Sequence, residues 1–506
     1  RLTWTDELSK ITKQEIMDFA KEKYGNNYVV VYKRTGENTG LVKVEKPRIT
    51  PVEINRNDQS AFYQEFMAEK TEYIKPVFVD FKQEIQTQTL ASGVEFNYIR
   101  NRTNALFNLQ YIIDMGTDNN LRLPLAMELL PYLGTDKFSP EDLQKEFFKY
   151  GLTMNVNTGN DRCYVNISGM QEYFEKGVEL LEHVITSVKP DDQAYSDLVK
   201  GVMKKRRDAK LNKNTILWSG LVNYGKYGSL NPFTNIIKED ELKNISPAEL
   251  TQLITELASY KHRLFYYGQA ESAAVASIVD KYHKVPAELK PYPPAVVYTE
   301  QETGNRQLYL VDYDMSQVSI VLLAKGPGFN QSLIPPARLF GEYFGRGLSS
   351  IIFQEIREAR GLAYSAYSEF TTPPRADHPH YITGFVGTQA DKLKDATDAM
   401  LGLMNDMPKA QRQFDLAKES LAKQIESERI IKTSIFWTYQ RNLDLGIDYD
   451  IRKDVYDYVQ SVDLDTISKF FDENIKGGKY TVLIMGNKAQ LDAGVLKQLG
   501  NVKELT

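Results

Sequence analysis

A single cysteine, Cys163, stands in 506 residues. That excludes an intrachain disulfide and a cysteine-built metal cluster. It fits the cytoplasm, and equally a periplasm in which disulfides are optional. Histidine is scarce as well, with five in the whole chain. No apolar run reaches the ~18 residues that a membrane-spanning helix requires. An excess of positive charge is also missing: the net charge is −5, which gives no general attraction to nucleic acid or anionic lipid. The one basic cluster, Lys204-Lys205-Arg206-Arg207, lies inside a helix-like stretch from Gln193 to Lys210 and reads as a solvated helix face. The chain opens with Arg1-Leu2-Thr3-Trp4, without an initiator Met or a signal peptide. The expectation is a piece of a longer precursor.

What is present is ordinary globular material, 42% hydrophobic and 25% charged, enough for sizeable cores in roughly two to four domains. One unit recurs. Thr12-Lys13-Gln14-Glu15 is a capping box before a helix, and Tyr28-Val29-Val30-Val31-Tyr32 follows as a buried-type strand. Ser246-Pro247-Ala248-Glu249 opens a second helix, followed by Arg263 to Gly268. Asp463-Leu464-Asp465 opens a third, followed by Tyr480 to Gly486. Three copies at domain-length intervals predict repeated domains, the first copy being the tail of a domain that is not here.

Between the first two copies lies a connector with Gly36, Gly40, Pro47, Pro51 and Pro76. Lys46-Pro47 to Thr50-Pro51 is expected to be extended, because a residue before proline avoids helix. A first complete domain then begins near Gln83. It has a hairpin at Leu90 to Phe96, a strand at Phe107 to Asp114, an apolar helix from Leu121 to Leu133 and then Gly134-Thr135. A helix from Ser139 to Tyr150 stops at Gly151, and a hairpin turns at Gly159-Asn160. The last domain repeats the plan, with strands at Gln307 to Tyr313 and Gln317 to Lys325, a helix from Pro335 to Phe344, and Gly345 in the place of Gly134. Strands and helices in blocks predict an α+β fold: two homologous α/β-roll domains, each a mostly antiparallel sheet with helices packed on one face.

The most specific stretch runs from Gly345 to Phe370, GRGLSSIIFQEIREARGLAYSAYSEF. A Gly-rich turn leads into a helix that Gly361 stops, and an aromatic-rich strand follows. Arg357 falls near the helix end and Tyr364 early in the strand. This stretch resembles the C-terminal signature of the insulinase/pitrilysin family of zinc metallopeptidases, in its processing-protease branch. The resemblance implies that Arg357 and Tyr364 hold the substrate backbone and support the tetrahedral intermediate formed at a zinc site in the other half of the enzyme. Guanidinium and phenol are donors suited to a carbonyl or developing oxyanion. Aligning Gly361 with Gly151 puts Phe147 opposite Arg357 and Met154 opposite Tyr364, so only the last domain carries the pair. Without the resemblance, Arg357 reads as a partner of Glu355 or Glu358 and Tyr364 as sheet filling.

Peptidases of that family carry H-x-x-E-H on a helix before Gly-Thr, with two histidines on the metal and the glutamate acting on its water. The matching stretch is Leu125-Ala126-Met127-Glu128-Leu129 before Gly134-Thr135. The glutamate position survives as Glu128, but Leu125 and Leu129 cannot ligate, so no zinc is expected in this chain. Glu128 reads as a surface or salt-bridged residue. In the last domain the same helix reads Pro336-Ala337-Arg338-Leu339-Phe340. His183, His262 and His283 look isolated and read as surface or satisfied core histidines rather than ligands, and His378-Pro379-His380 reads as a surface loop. Cys163 lies in a strand pattern and reads as packed.

The resulting expectation is residues 1–45 as the tail of an absent homologous domain and 46–80 as a linker. Residues 81–287 form a degenerate peptidase-like domain, and 288–506 a C-terminal one with the Arg/Tyr pair. The resemblance implies the zinc-free, C-terminal half of a clamshell metalloendopeptidase that encloses peptides or unfolded polypeptide. Its partner would be an N-terminal half that holds the zinc, with no nucleic acid and no membrane span involved. The competing reading is a non-catalytic peptide-binding or scaffold subunit.

Overall fold

The computed structural model describes residues 3–34, 36, 40, 59–70, 72–304 and 306–506. The expected extended run at Lys46 to Pro51 lies outside the described residues. The chain divides into two units, residues 1–68 and 69–506.

In the first unit, helix Lys13–Lys23 starts as its sequence dictates. The Thr12 hydroxyl accepts from the Glu15 backbone N–H while the Glu15 carboxylate accepts from that of Thr12. The strand expected at Tyr28 to Tyr32 does not form. The segment is exposed and enters no ladder among the described residues, because a strand exists only with a neighbour to pair with.

The second unit holds two six-stranded sheets. The first is built from β1 (Gln86–Thr89), β2 (Glu95–Arg100), β3 (Leu106–Ile113), β4 (Thr153–Thr158), β5 (Cys163–Met170) and β6 (Arg263–Gly268), in the order β1-β2-β6-β3-β5-β4. The second is built from β7 (Gln307–Asp312), β8 (Gln317–Gly328), β9 (Ala363–Thr371), β10 (Pro379–Gln389), β11 (Thr481–Gly486) and β12 (Asn501–Leu505), in the order β12-β7-β11-β8-β10-β9. Five strands of each sheet follow one plan. In both, the strand after the capped helix, β6 or β11, is inserted between a parallel and an antiparallel neighbour. This is why Thr481–Gly486 is apolar almost throughout: it is buried along its whole length. The sixth strand differs. β1 is an antiparallel hairpin partner of β2, whereas β12 is added parallel to β7 from the end of the chain. Both sheets are mixed and mostly antiparallel, and the fold is α+β as expected.

Each sheet buries one face against its own helices, giving two large cores. One includes Leu109, Leu129, Ile167 and Leu181; the other includes Ile320, Phe340, Met400 and Phe471. The opposite faces are also covered in part, which one-sided packing did not predict. The helical segment Thr215–Leu221, continued by Val222–Tyr227, lies on the outer face of the second sheet, with Leu217 and Leu221 against Val321, Leu323 and Leu483. Reciprocally, helix Thr433–Asp444 lies on the outer face of the first, where Phe436 stacks on Phe265 with ring centroids 4.0 Å apart. Charge reinforces this second exchange. Arg162 reaches both Asp114 (2.8 Å) and Asp444, while Arg263 binds Asp114 and Gln440. Burial alone would raise the Asp114 carboxyl, but the two guanidinium groups outweigh it and hold it low.

Candidate functional site

The helix of the signature stretch begins at Ile351 and widens to π-helical turns over Phe353–Ala359, a geometry found often at functional sites. It ends because Gly361 adopts φ +56°. The Gly361 N–H donates to the Arg357 carbonyl (3.1 Å) and the Leu362 N–H to that of Ile356 (3.0 Å), which satisfies carbonyls the helix end would otherwise leave open. Before the helix, Gly345 packs so tightly that a β-carbon there would sit 1.9 Å from the Ser368 carbonyl oxygen. The turn therefore lies flat on β9, the strand that carries Tyr364.

β9 is not regular where it begins. Ser365 opposes Gly387 and Ala363 opposes Thr388, so Tyr364 is the extra residue of a β-bulge. Bulges of this kind re-aim a side chain. Ala363 joins the helix-side core, whereas Tyr364 and Ser365 both border a hollow on the outer face. Tyr364 is 76% exposed. Met154, its counterpart in the internal alignment, pairs regularly with Ile167 and packs into the helix-side core of its own sheet.

The Arg357 guanidinium lies 4.7 Å from the Tyr364 ring centroid and 4.7 Å from that of Phe353. The sequence-predicted pair is thus brought together on an open face. Glu358, 3.5 Å from Arg357, supplies the surface ion pair of the plainer reading. An exposed pair of that kind contributes little, so the guanidinium edge remains open to a further acceptor. Close by, Arg346 binds Glu369 and stands over Tyr367 at 5.6 Å, and burial pushes the Tyr367 phenol up to about 12.

The degenerate helix, Leu123–Leu129, turns Leu125 and Leu129 into the core of the first sheet. Glu128 points outward to Lys205 at 3.0 Å. Two buried aliphatic side chains offer no lone pair to a metal, so zinc does not fit here. Among the described residues, no three His, Cys, Asp or Glu side chains are grouped to hold a metal ion. Lys204 and Lys205 lie exposed on helix Asp192–Ala209. Cys163 is fully buried, and burial pushes its thiol up to about 11, far from a nucleophile at neutral pH.

His262 and His283 are satisfied core histidines, within the sequence reading, but two points need correcting. His262 and His283 are not isolated: their Nε2 atoms are 2.8 Å apart in the core, and His283 Nδ1 is 2.9 Å from Glu182, which also accepts from Tyr111. The available signal was Glu182 itself, a carboxylate on the apolar stripe of helix Phe174–Ser187, where Val178, Leu181 and Ile185 are buried. His380 is not in a surface loop either. It is fully buried in β10, stacks on Phe370 at 4.8 Å, and accepts at Nε2 from the Asn330 N–H. The proline-rich run misled because β10 starts earlier, at Pro379. His378 does lie at the surface, 3.3 Å from Glu300.

Residues 261–421, which include Arg357 and Tyr364, match the peptidase M16 inactive domain. A zinc protease of Rickettsia bellii is 20% identical over 283 residues, covering 53% of this chain and 64% of that protein. Among solved structures, the peptidase M16 inactive domain from Pseudomonas fluorescens has a TM-score of 0.62 at 18% identity, covering 81% of this chain and 99% of the other. The periplasmic protease PqqL from Escherichia coli has a TM-score of 0.65 at 13% identity, covering 94% of this chain and 51% of that one. The chain therefore spans less than two thirds of the Rickettsia relative and about half of PqqL. At such identities the structural likenesses concern the fold.

Proposed function

We propose that the chain, whose residues 261–421 match the peptidase M16 inactive domain, is the zinc-free half of a two-half zinc peptidase of that family, a reading supported by its likeness to zinc proteases in sequence and to M16 structures in fold. The observation that carries the reading is the contact of Arg357 with Tyr364 on an open face. The guanidinium nitrogens turned away from Glu358 and the exposed Tyr364 hydroxyl are placed to hold a peptide carbonyl, on a backbone shaped by the π-helical turns and the bulge. A preorganised donor at a developing oxyanion contributes on the order of 2.7–4 kcal/mol. The metal and its activated water belong to the other half, since Leu125 and Leu129 exclude them here. Enclosure of peptide or unfolded polypeptide between the halves follows from the same reading. Arg357→Ala in the complete two-half enzyme should lower turnover by on the order of a hundredfold with its zinc content unchanged. Unchanged turnover would remove the role assigned to the pair.

The scaffold reading draws on the same buried Leu125 and Leu129. It predicts that a peptidase assembled around this chain is indifferent to Arg357, so the one substitution separates the two.

A further inference from the structure

We propose that the hollow beside Tyr364 is a subsite for one aromatic side chain of a bound polypeptide, with Trp218 and Gly387 setting what it accepts. This rests on the reading of Arg357 and Tyr364 as peptide-holding residues. The hollow exists because three adjacent strands carry small residues at one level. Ser319 of β8 opposes Gly387 of β10, and Gly387 opposes Ser365 of β9. One step along the same face, the same strands carry Val321, Phe385 and Tyr367. The missing bulk leaves a trough across the sheet. The π-helical segment Thr215–Leu221 roofs it with Leu217 and Trp218, and Met485 closes the far end. Tyr364 forms the near rim, so a chain held at Tyr364 passes the mouth.

Size and lining decide the occupant. The cavity is about 180 Å³, below the ~300–1,000 Å³ of a small-molecule site and close to the ~150 Å³ apolar cavity that takes benzene. One phenyl or phenol ring fits. Its walls are mixed: Trp218, Phe385, Met315 and Met485 favour an aromatic guest through offset stacking and sulfur contacts, and Asn214, Gln317, Ser319 and Ser365 offer polar groups beside them. Trp218 already lies 5.6 Å from Phe385. Lys213 stands exposed at the rim, but an exposed charge selects weakly, so the ring-sized space and its aromatic and sulfur walls set the choice.

The test uses the 506-residue chain and two fluorescein-labelled unstructured peptides, identical except for Phe or Ala at one central position. Wild type should bind the Phe peptide on the order of 10–100-fold more tightly. Gly387→Val should bring that ratio close to one. A β-carbon at Gly387 meets only ordinary contacts, the nearest at 3.6 Å from Phe385, so the variant fills the trough without breaking the strand. Trp218→Ala should also lower the ratio, and thermal melting of each variant checks its fold. A ratio near one in wild type, with affinity for both peptides still lost in Arg357→Ala, overturns the subsite and leaves the peptide-holding reading standing. Affinity indifferent to Arg357, or no binding of either peptide, overturns both.

Discussion

His262 and His283 face each other Nε2 to Nε2 at 2.8 Å, beneath a buried glutamate. One of the two nitrogens must donate, while His262 Nδ1 donates to the Tyr260 carbonyl at 2.7 Å. The cluster has no room for a further proton. Burial, and next the neighbouring His283, lower His262 to about 4. The unfolded chain, with histidine near 6.5, binds protons in a window where native His262 does not. Stability is therefore full above about pH 6.5 and falls as the pH drops toward 4, by on the order of 3 kcal/mol from this group. Thermal melts across pH 7.5 to 4.5 should show the decline, and His262→Gln should flatten it. An equal slope in the variant would assign the decline to other groups.

Arg162 bridges Asp114 and Asp444, joining the first sheet to the helix that crosses from the other core. Arg162→Ala leaves the largely buried Asp444 without a guanidinium partner, while Asp114 keeps only Arg263. We expect a loss of about 3 kcal/mol in urea unfolding, with Asp444→Asn costing less because it retains hydrogen-bonding capacity. A loss under about 0.5 kcal/mol for Arg162→Ala would show the exchange to be held by Phe265 and Phe436 alone.

Two glycines should respond in opposite directions to the same change. Gly345→Ala drives a methyl into the Ser368 backbone and should cost several kcal/mol, because backbone cannot yield as a side chain end can. Gly402 lies in helix Leu393–Asn405 with open space around its would-be β-carbon. Gly402→Ala should therefore raise stability by about 0.5–1 kcal/mol. Denaturant midpoints of the two variants settle the contrast.

Tyr364→Phe keeps the ring under Arg357 and removes only the hydroxyl. With Tyr364 so exposed, its thermal midpoint should stay within a degree or two, while peptide affinity should fall roughly fivefold to tenfold for one lost hydrogen bond. Wild-type affinity in the Phe variant would reduce Tyr364 to a stacking platform.

Glu128→Ala should change stability by less than about 0.5 kcal/mol, because its link to Lys205 is solvent-exposed on both sides. The chain itself should take up no stoichiometric zinc in competition with a chelator. A tight site would mean that residues other than Leu125, Glu128 and Leu129 provide it.

Much of this was legible locally. Gly361 ends its helix and places Arg357 and Tyr364 close because a positive φ and a cap are properties of a few adjacent residues. The same holds for the caps at Thr12, Ser139, Ser246 and Asp463. The bulge at Tyr364 was not legible, since it is a matter of register against Gly387 and Thr388 on another strand. The burial of His380 and the meeting of His262 with His283 escaped for a similar reason: their partners lie far away in sequence.

The sequence by itself determined which residues could act. It placed leucines where a metal needs histidines, an arginine and a tyrosine only in the last domain, and apolar runs that must become central strands. These follow from side-chain chemistry and short-range geometry. Only the tertiary structure decided where those groups face. Tyr364 turns outward, Thr215–Leu221 covers the second sheet while Thr433–Asp444 covers the first, and small residues on three strands line up into a hollow. Such alignments arise when distant segments pair and exclude water together, and no single stretch of chain encodes them.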